Sequence, residues 1–189
     1  MPANIIDIND LNLSFPTYLI LDASVLLGGF LPSTQTSKHS VAVNFLKRLQ
    51  MQVSYENTMA LLPLLAYEEC LFKIISIEIE ANPINGNHWH QKYKKNPQVI
   101  SNTQTSVIKF NKFLQSFPIS IIEPEDLVDS NNSNSIELNI RMNQFIYLYN
   151  ILPKDATILS SADRLGITHI ASLDKDFSRA NGFTIYLPT

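Results

Sequence analysis

The chain has 189 residues, 45% of them hydrophobic, which suits one domain with a real core and excludes disorder throughout. A single cysteine, Cys70, rules out an internal disulfide, and no charged-then-apolar leader opens the sequence; both favour the cytosol. The formal charge of −3 gives no global basic footprint for nucleic acid, so a polyanion needs a local patch or metal ions, and no apolar run reaches the ~18 to 20 residues of a membrane helix.

Residues 1–17 carry scattered apolar side chains as far as Pro16 and read as an arm leading into a first strand, Tyr18 to Leu21. Asp22, Ala23 and Ser24 follow, then Gly28 and Gly29, without the spacing or the lysine of a phosphate-binding loop. A polar loop over Ser33 to Ser40 precedes a helix over Val41 to Gln50, whose buried stripe is Val41, Ala42, Phe45, Leu46 and Leu49. Thr58 to Leu62 reads as a second strand, with Pro63 opening a helix to about Ile79. In that helix Leu65, Cys70, Leu71, Ile74, Ile75 and Ile79 are core candidates, while Glu68 and Glu69 interrupt the apolar surface.

Residues 81–106 change character: they are polar, with two prolines, an Asn-Gly turn signal and mixed aromatic and basic side chains, and read as an insertion or lid. A helix over Thr105 to Phe117, a strand over Ile119 to Ile122, a loop at Ser130 to Ser135 and a helix over Ile136 to Tyr149 come next. Pro153 starts a helix in which Ile158, Leu159, Ala162 and Leu165 share one face until Gly166 stops it. Asp155 lies three and four residues before Ile158 and Leu159, so it points with the apolar face. Ile167 to Leu173 reads as a buried strand with Asp174 and Asp176 beyond its end, and Asn181-Gly182 turns the chain into a last strand, Phe183 to Leu187.

The alternation predicts a three-layer α/β fold, a central and mainly parallel sheet with helices on both faces. Open sheets of this kind build sites beyond the carboxyl ends of their strands, so Asp22 and Asp174 are expected to meet in an acidic pocket.

At this point the residues resemble a known family, the PIN-domain nucleases, which include the VapC-like toxin ribonucleases. Leu21-Asp22-Ala23-Ser24, the run from Asp155 to Ile167, and Ser172 to Phe177 carry the likeness, with a looser match from Pro63 to Cys70. The resemblance implies metal-site carboxylates at Asp22, Glu69, Asp155 and Asp174, hydroxyl neighbours at Ser24 and Ser172, and an additional acid at Asp176; Glu68 competes with Glu69. It also implies Mg²⁺ or Mn²⁺ as cofactor, hydrolysis of RNA phosphodiester bonds, an antitoxin as partner of the toxin members, and pairing as a homodimer. Residues 81–106 are an addition relative to the compact toxin members.

The chemistry gives a separate reason for a cation. Gathered carboxylates repel one another and take up protons unless a cation neutralises them. Hard oxygen donors suit Mg²⁺ or Mn²⁺, and a pair of such ions activates water and stabilises the leaving oxygen of a phosphodiester without a side-chain nucleophile.

Other readings compete. A first-turn Asp155 complements a helix dipole, Asp22 begins a turn, and Asp174 with Asp176 suits a solvated loop. A catalytically silent scaffold that binds RNA or a protein keeps the same fold. A phosphatase of the aspartyl-phosphate type also begins with Asp after a strand, but Ser24 stands where its second Asp is needed. Trp89, Lys92, Lys94 and Lys95 make a basic-aromatic segment suited to bases and phosphates, whereas His88 and His90 lack the partners of a zinc site. Asp163 reads as a helix-surface acid and Cys70 as a small core residue.

Overall fold

The computed structural model describes residues 3–31, 36–56, 58–81, 88–123 and 138–189. Among them six strands form one sheet: β1 (Asn4–Asp7), β2 (Tyr18–Leu21), β3 (Met59–Pro63), β4 (Ile119–Ile122), β5 (His169–Ala171) and β6 (Thr184–Leu187). Their order is β1-β6-β5-β2-β3-β4, and every neighbouring pair is parallel. Helices α1 (Ala23–Phe30), α2 (Thr36–Glu56), α3 (Leu64–Ala81), α4 (Trp89–Lys95), α5 (Gln104–Gln115), α6 (Leu138–Tyr149) and α7 (Pro153–Arg164) complete the three-layer α/β architecture that the alternation predicts. Among the described residues no helix is long and apolar enough to cross a membrane.

The central strands are apolar on both faces, as a covered parallel sheet requires. Leu19, Ile20, Leu21, Ile170 and Ile185 have no exposure, and burial of each such side chain stabilises the fold by about 1.5–3 kcal/mol. From β2 the chain steps outward through β3 to β4, then returns to the other side of β2 for β5 and β6. The direction of winding therefore reverses between β2 and β5, where a crevice opens beyond the strand ends. Leu21 pairs with Ala171, so Asp22 and Ser172 leave the sheet side by side.

Two glycines shape the elements around the sheet. The turn after α7 follows the predicted glycine stop: Gly166 has φ 68°, its N–H donates to Asp163 at 3.0 Å, and the Ile167 N–H reaches back to Ala162 at 2.9 Å. These two bonds satisfy carbonyls that the helix end leaves open. Gly28 allows α1 to approach its neighbours, since a Cβ there would stand 2.8 Å from Leu173 Cδ1 and 3.0 Å from Ala42 Cβ.

Several sequence expectations are corrected. Residues 4–7 are not part of an arm but an edge strand on β6, and the Arg48 guanidinium donates to the carbonyls of Ile8 and Asp10 just beyond it. Pro63 closes β3 instead of opening α3, pairing in register with Ile122 of β4. The helix predicted at 41–50 runs from 36 to 56, because helical bonding outlasts the apolar stripe. The strand predicted at 167–173 is only His169–Ala171; it stops where the Leu173 N–H turns to Ser24 Oγ at 2.8 Å.

The expected insertion or lid, residues 81–106, is described in part. Its described part is helical, with α4, a 3₁₀ helix over Pro97–Thr103 and the start of α5, packed on α3 with Val99 and Thr103 buried. The Asn85-Gly86 turn, the Ser130–Ser135 loop, residues 33–35 and Ile136 lie outside the described residues.

Candidate active site

Asp22 is the N-cap of α1, and Asp174 is the N-cap of a 3₁₀ helix over Lys175–Arg179. The turn readings of both residues are thus correct as far as they go, but each cap uses one carboxylate oxygen. The Ser24 N–H and Oγ and the Ser172 Oγ all donate to Asp22 Oδ2, the first at 3.2 Å and the last at 2.8 Å. The Asp176 N–H donates to Asp174 Oδ1 at 2.9 Å. Among the described residues these bonds leave Asp22 Oδ1 and Asp174 Oδ2 uncommitted. An acceptor-only group with an uncommitted oxygen is a ready ligand for a cation.

The two serines knit the strand ends together. Ser24 Oγ receives the Leu173 N–H, and Ser172 Oγ receives the Asp174 N–H at 2.9 Å. Ser172 has no exposure and Asp22 only 6%, so these bonds act where water does not replace them. Ser172→Ala is expected to destabilise the fold by about 1.5–3 kcal/mol, the range for a bond to a charged group. Urea unfolding in chelator measures it; a loss under about 0.5 kcal/mol would mean that the hydroxyl does not hold the carboxylate.

Asp155, in the first turn of α7, is half-buried beside Ala156, Ile158 and Leu159, in keeping with its place on the apolar face. Its carboxyl is pushed up to about 6, first by burial and then by the charges of Asp22, Asp174, Asp176 and Glu69. Burial also raises Asp22, against the pull of its serine bonds, and Glu69 adds to the rise. Of the Glu68-Glu69 pair, Glu69 is half-buried and its charge adds to the rise of both acids, while Glu68 is exposed.

The sign of the pH effect follows. Asp155 binds its proton more tightly folded, near 6, than at its ordinary 3.8, so stability falls as pH rises through that window and the cost is complete above it. Relative to Asp155→Asn, which does not titrate there, the wild-type protein in chelator is expected to lose Tm between about pH 4 and pH 7. Parallel Tm profiles for the two proteins would contradict the electrostatic account.

Two of the acids are turned toward cations. Lys154 Nζ lies 3.4 Å from Glu69 Oε1, and Arg179 Nη2 lies 2.6 Å from Asp176 Oδ1. Among the described residues no group of three or more Asp, Glu, His or Cys side chains stands ready to hold a metal ion as arranged. The donor set still fits one: the oxygens are hard, two are uncommitted, and the excess negative charge calls for a cation.

Sequence reasoning missed Lys154 and Arg179, whose local sequence gives no sign of their partners. It also placed Lys92 wrongly. Lys92 is buried, and its ammonium donates to the Ile79 and Glu80 carbonyls at 3.2 and 3.1 Å, closing the end of α3. Trp89 packs edge-on against Phe72 at 5.0 Å, and Lys94 and Lys95 are exposed on α4. Asp163 is exposed on α7, as expected of a helix-surface acid, and Arg141 Nε lies 2.6 Å from its Oδ2. Cys70 is buried, and its thiol is pushed well above the usual range by burial.

The fold is a parallel α/β domain in which Asp22 and Ser172 leave neighbouring strands at the switch point, with Asp174 two residues further on. No family model matches the sequence, and no curated protein matches it. Among solved structures the chain is similar to the crystal structure of FitAcB from Neisseria gonorrhoeae, with a TM-score of 0.47 and 14% identity over 90% of this chain and 97% of that chain.

Proposed function

We propose that this chain is a metal-dependent ribonuclease of the PIN-domain type, hydrolysing RNA phosphodiester bonds at Asp22, Glu69, Asp155 and Asp174, with Asp176 beside them. The observation that carries the reading is Asp155, a half-buried carboxyl on which four acids from three other segments press. Packing alone gains nothing from that repulsion, and a divalent cation relieves it.

Mg²⁺ or Mn²⁺ would be held by the uncommitted oxygens of Asp22 and Asp174 together with Asp155, with Glu69 exchanging Lys154 for the ion and Asp176 exchanging Arg179. Bound there, such ions supply activation of water and stabilisation of the leaving oxygen. The residues of the chain orient and exclude: Ser24 and Ser172 fix the Asp22 carboxylate, and the apolar flank of α7 limits water around Asp155. No side-chain nucleophile is required. In this reading the protein works in the cytoplasm as a homodimer, with RNA as substrate and an antitoxin as partner; an adjacent reading frame for a small partner protein tests the last point.

Cleavage of RNA with Mg²⁺ or Mn²⁺, with chelator, and by Asp22→Asn tests the activity. The expected result is cleavage that needs the ion and fails in the variant. A second reading, the silent scaffold, draws on the lack of a closed ligand group among the described residues. Titration with Mn²⁺ separates the two, since a protein that binds no ion at millimolar concentration is the scaffold.

A further inference from the structure

A cleft of about 980 Å³ adjoins the acidic site and shares Ser24 and Asp174 with it. Leu27, Val41, Ile77 and Leu173 supply apolar lining, and Lys38, Lys73 and Lys175 are the lysines among its walls. The three come from α2, from α3 and from the 3₁₀ helix after β5, so only the fold brings them to one cleft. Among the described residues none of them makes an ion pair, whereas Lys154 and Arg179 are engaged by acids and Lys92 by carbonyls. All three are exposed.

We infer that this cleft is the seat of a single-stranded polynucleotide, with Lys38, Lys73 and Lys175 holding phosphates and the apolar lining receiving unpaired bases. The inference rests on the nuclease reading of the adjoining acids, and it moves the phosphate contacts away from α4. A chain of net charge −3 needs local cations to bring a polyanion near its acids, and these lysines share the walls of one cleft with Asp174. An apolar lining is useful only to bases that are not paired, because a duplex turns its bases inward. Among the described residues no aromatic ring lines the cleft, so stacking contributes little and phosphate contacts dominate. Affinity is therefore strongly salt-dependent and tolerant of sequence.

The test is binding of a labelled single-stranded oligoribonucleotide to the full chain in chelator, where turnover stops, followed by anisotropy across a salt series. Each of Lys38→Ala, Lys73→Ala and Lys175→Ala is expected to flatten the slope of log K against log salt by about 0.7, and the triple variant by about 2. Lys94→Ala with Lys95→Ala is expected to change nothing, and duplex RNA to compete poorly. Unchanged binding by the triple variant, equal competition by duplex, or no binding by the wild-type protein would each overturn the inference. Lysine-dependent binding without cleavage in Mn²⁺ would leave the cleft standing and remove the nuclease reading. Undiminished cleavage by the triple variant at limiting RNA would do the reverse.

Discussion

Asp22→Asn is expected to lower metal-dependent RNA cleavage by at least about 100-fold, since even partners that merely orient a ligand are worth 10- to 100-fold. The substitution preserves the shape of the side chain and one oxygen acceptor. That oxygen can still receive Ser24 and Ser172, so the cap on α1 and the serine links to the β5 end remain. The amide nitrogen then takes the position of Oδ1, and a donor in that position cannot ligate a cation. One of the charges acting on Asp155 also disappears, which lowers its affinity for a proton. In chelator at pH 7 the variant is therefore expected to unfold no earlier than the wild type. Cleavage rate and Tm together decide the role. Retained cleavage removes the proposed mechanism, whereas a collapse of Tm makes Asp22 a structural cap and nothing more.

Phe177→Ala is expected to cost about 3–5 kcal/mol, among the largest single losses available in this chain. The ring has no exposure and sits in the short 3₁₀ helix that follows Asp174. Its N–H reaches the Asp174 carbonyl at 3.4 Å and its carbonyl receives the Ala180 N–H at 3.0 Å, so the anchor and the acid share one turn. Removing the ring opens a cavity and frees the segment that aims Asp174 and Asp176. At roughly 2–4 °C per kcal/mol for a chain of this size, Tm is expected to fall by roughly 6–20 °C, with weaker Mn²⁺ binding below the transition. Phe177→Leu keeps most of the volume and is expected to cost less than about 1.5 kcal/mol. Equal losses for Ala and Leu would show that cavity formation is not the cause.

The legible parts of the fold were those with strong local pattern. Ala42, Phe45, Leu46 and Leu49 of the α2 stripe, Ile158, Leu159 and Ala162 of the α7 face, and Leu19 to Leu21 of β2 bury as their spacing predicts, while Val41 and Leu165 are partly buried and Tyr18 is exposed. The missed parts lack such pattern. The strand β1 is four residues long, half of them exposed, and depends on a partner near the other end of the chain. Polar α4 has no apolar stripe of its own; Lys92 instead buries its stem and satisfies the last carbonyls of α3. Pro63 suits either a strand end or a first helical turn, and only pairing with Ile122 distinguishes them.

The amino-acid sequence by itself determined which acids stand beyond strand ends and that Asp155 faces inward, because both follow from neighbours within a few residues. The tertiary structure alone turned Glu69 toward Asp155 while leaving Glu68 exposed, and paired Lys154 and Arg179 with two of the acids. It also buried Lys92 against the end of α3 and grouped three other lysines around one cleft. Periodicity encodes the direction of a side chain relative to its own helix or strand. Distances between separate elements depend on sheet order and helix packing, which no local pattern carries.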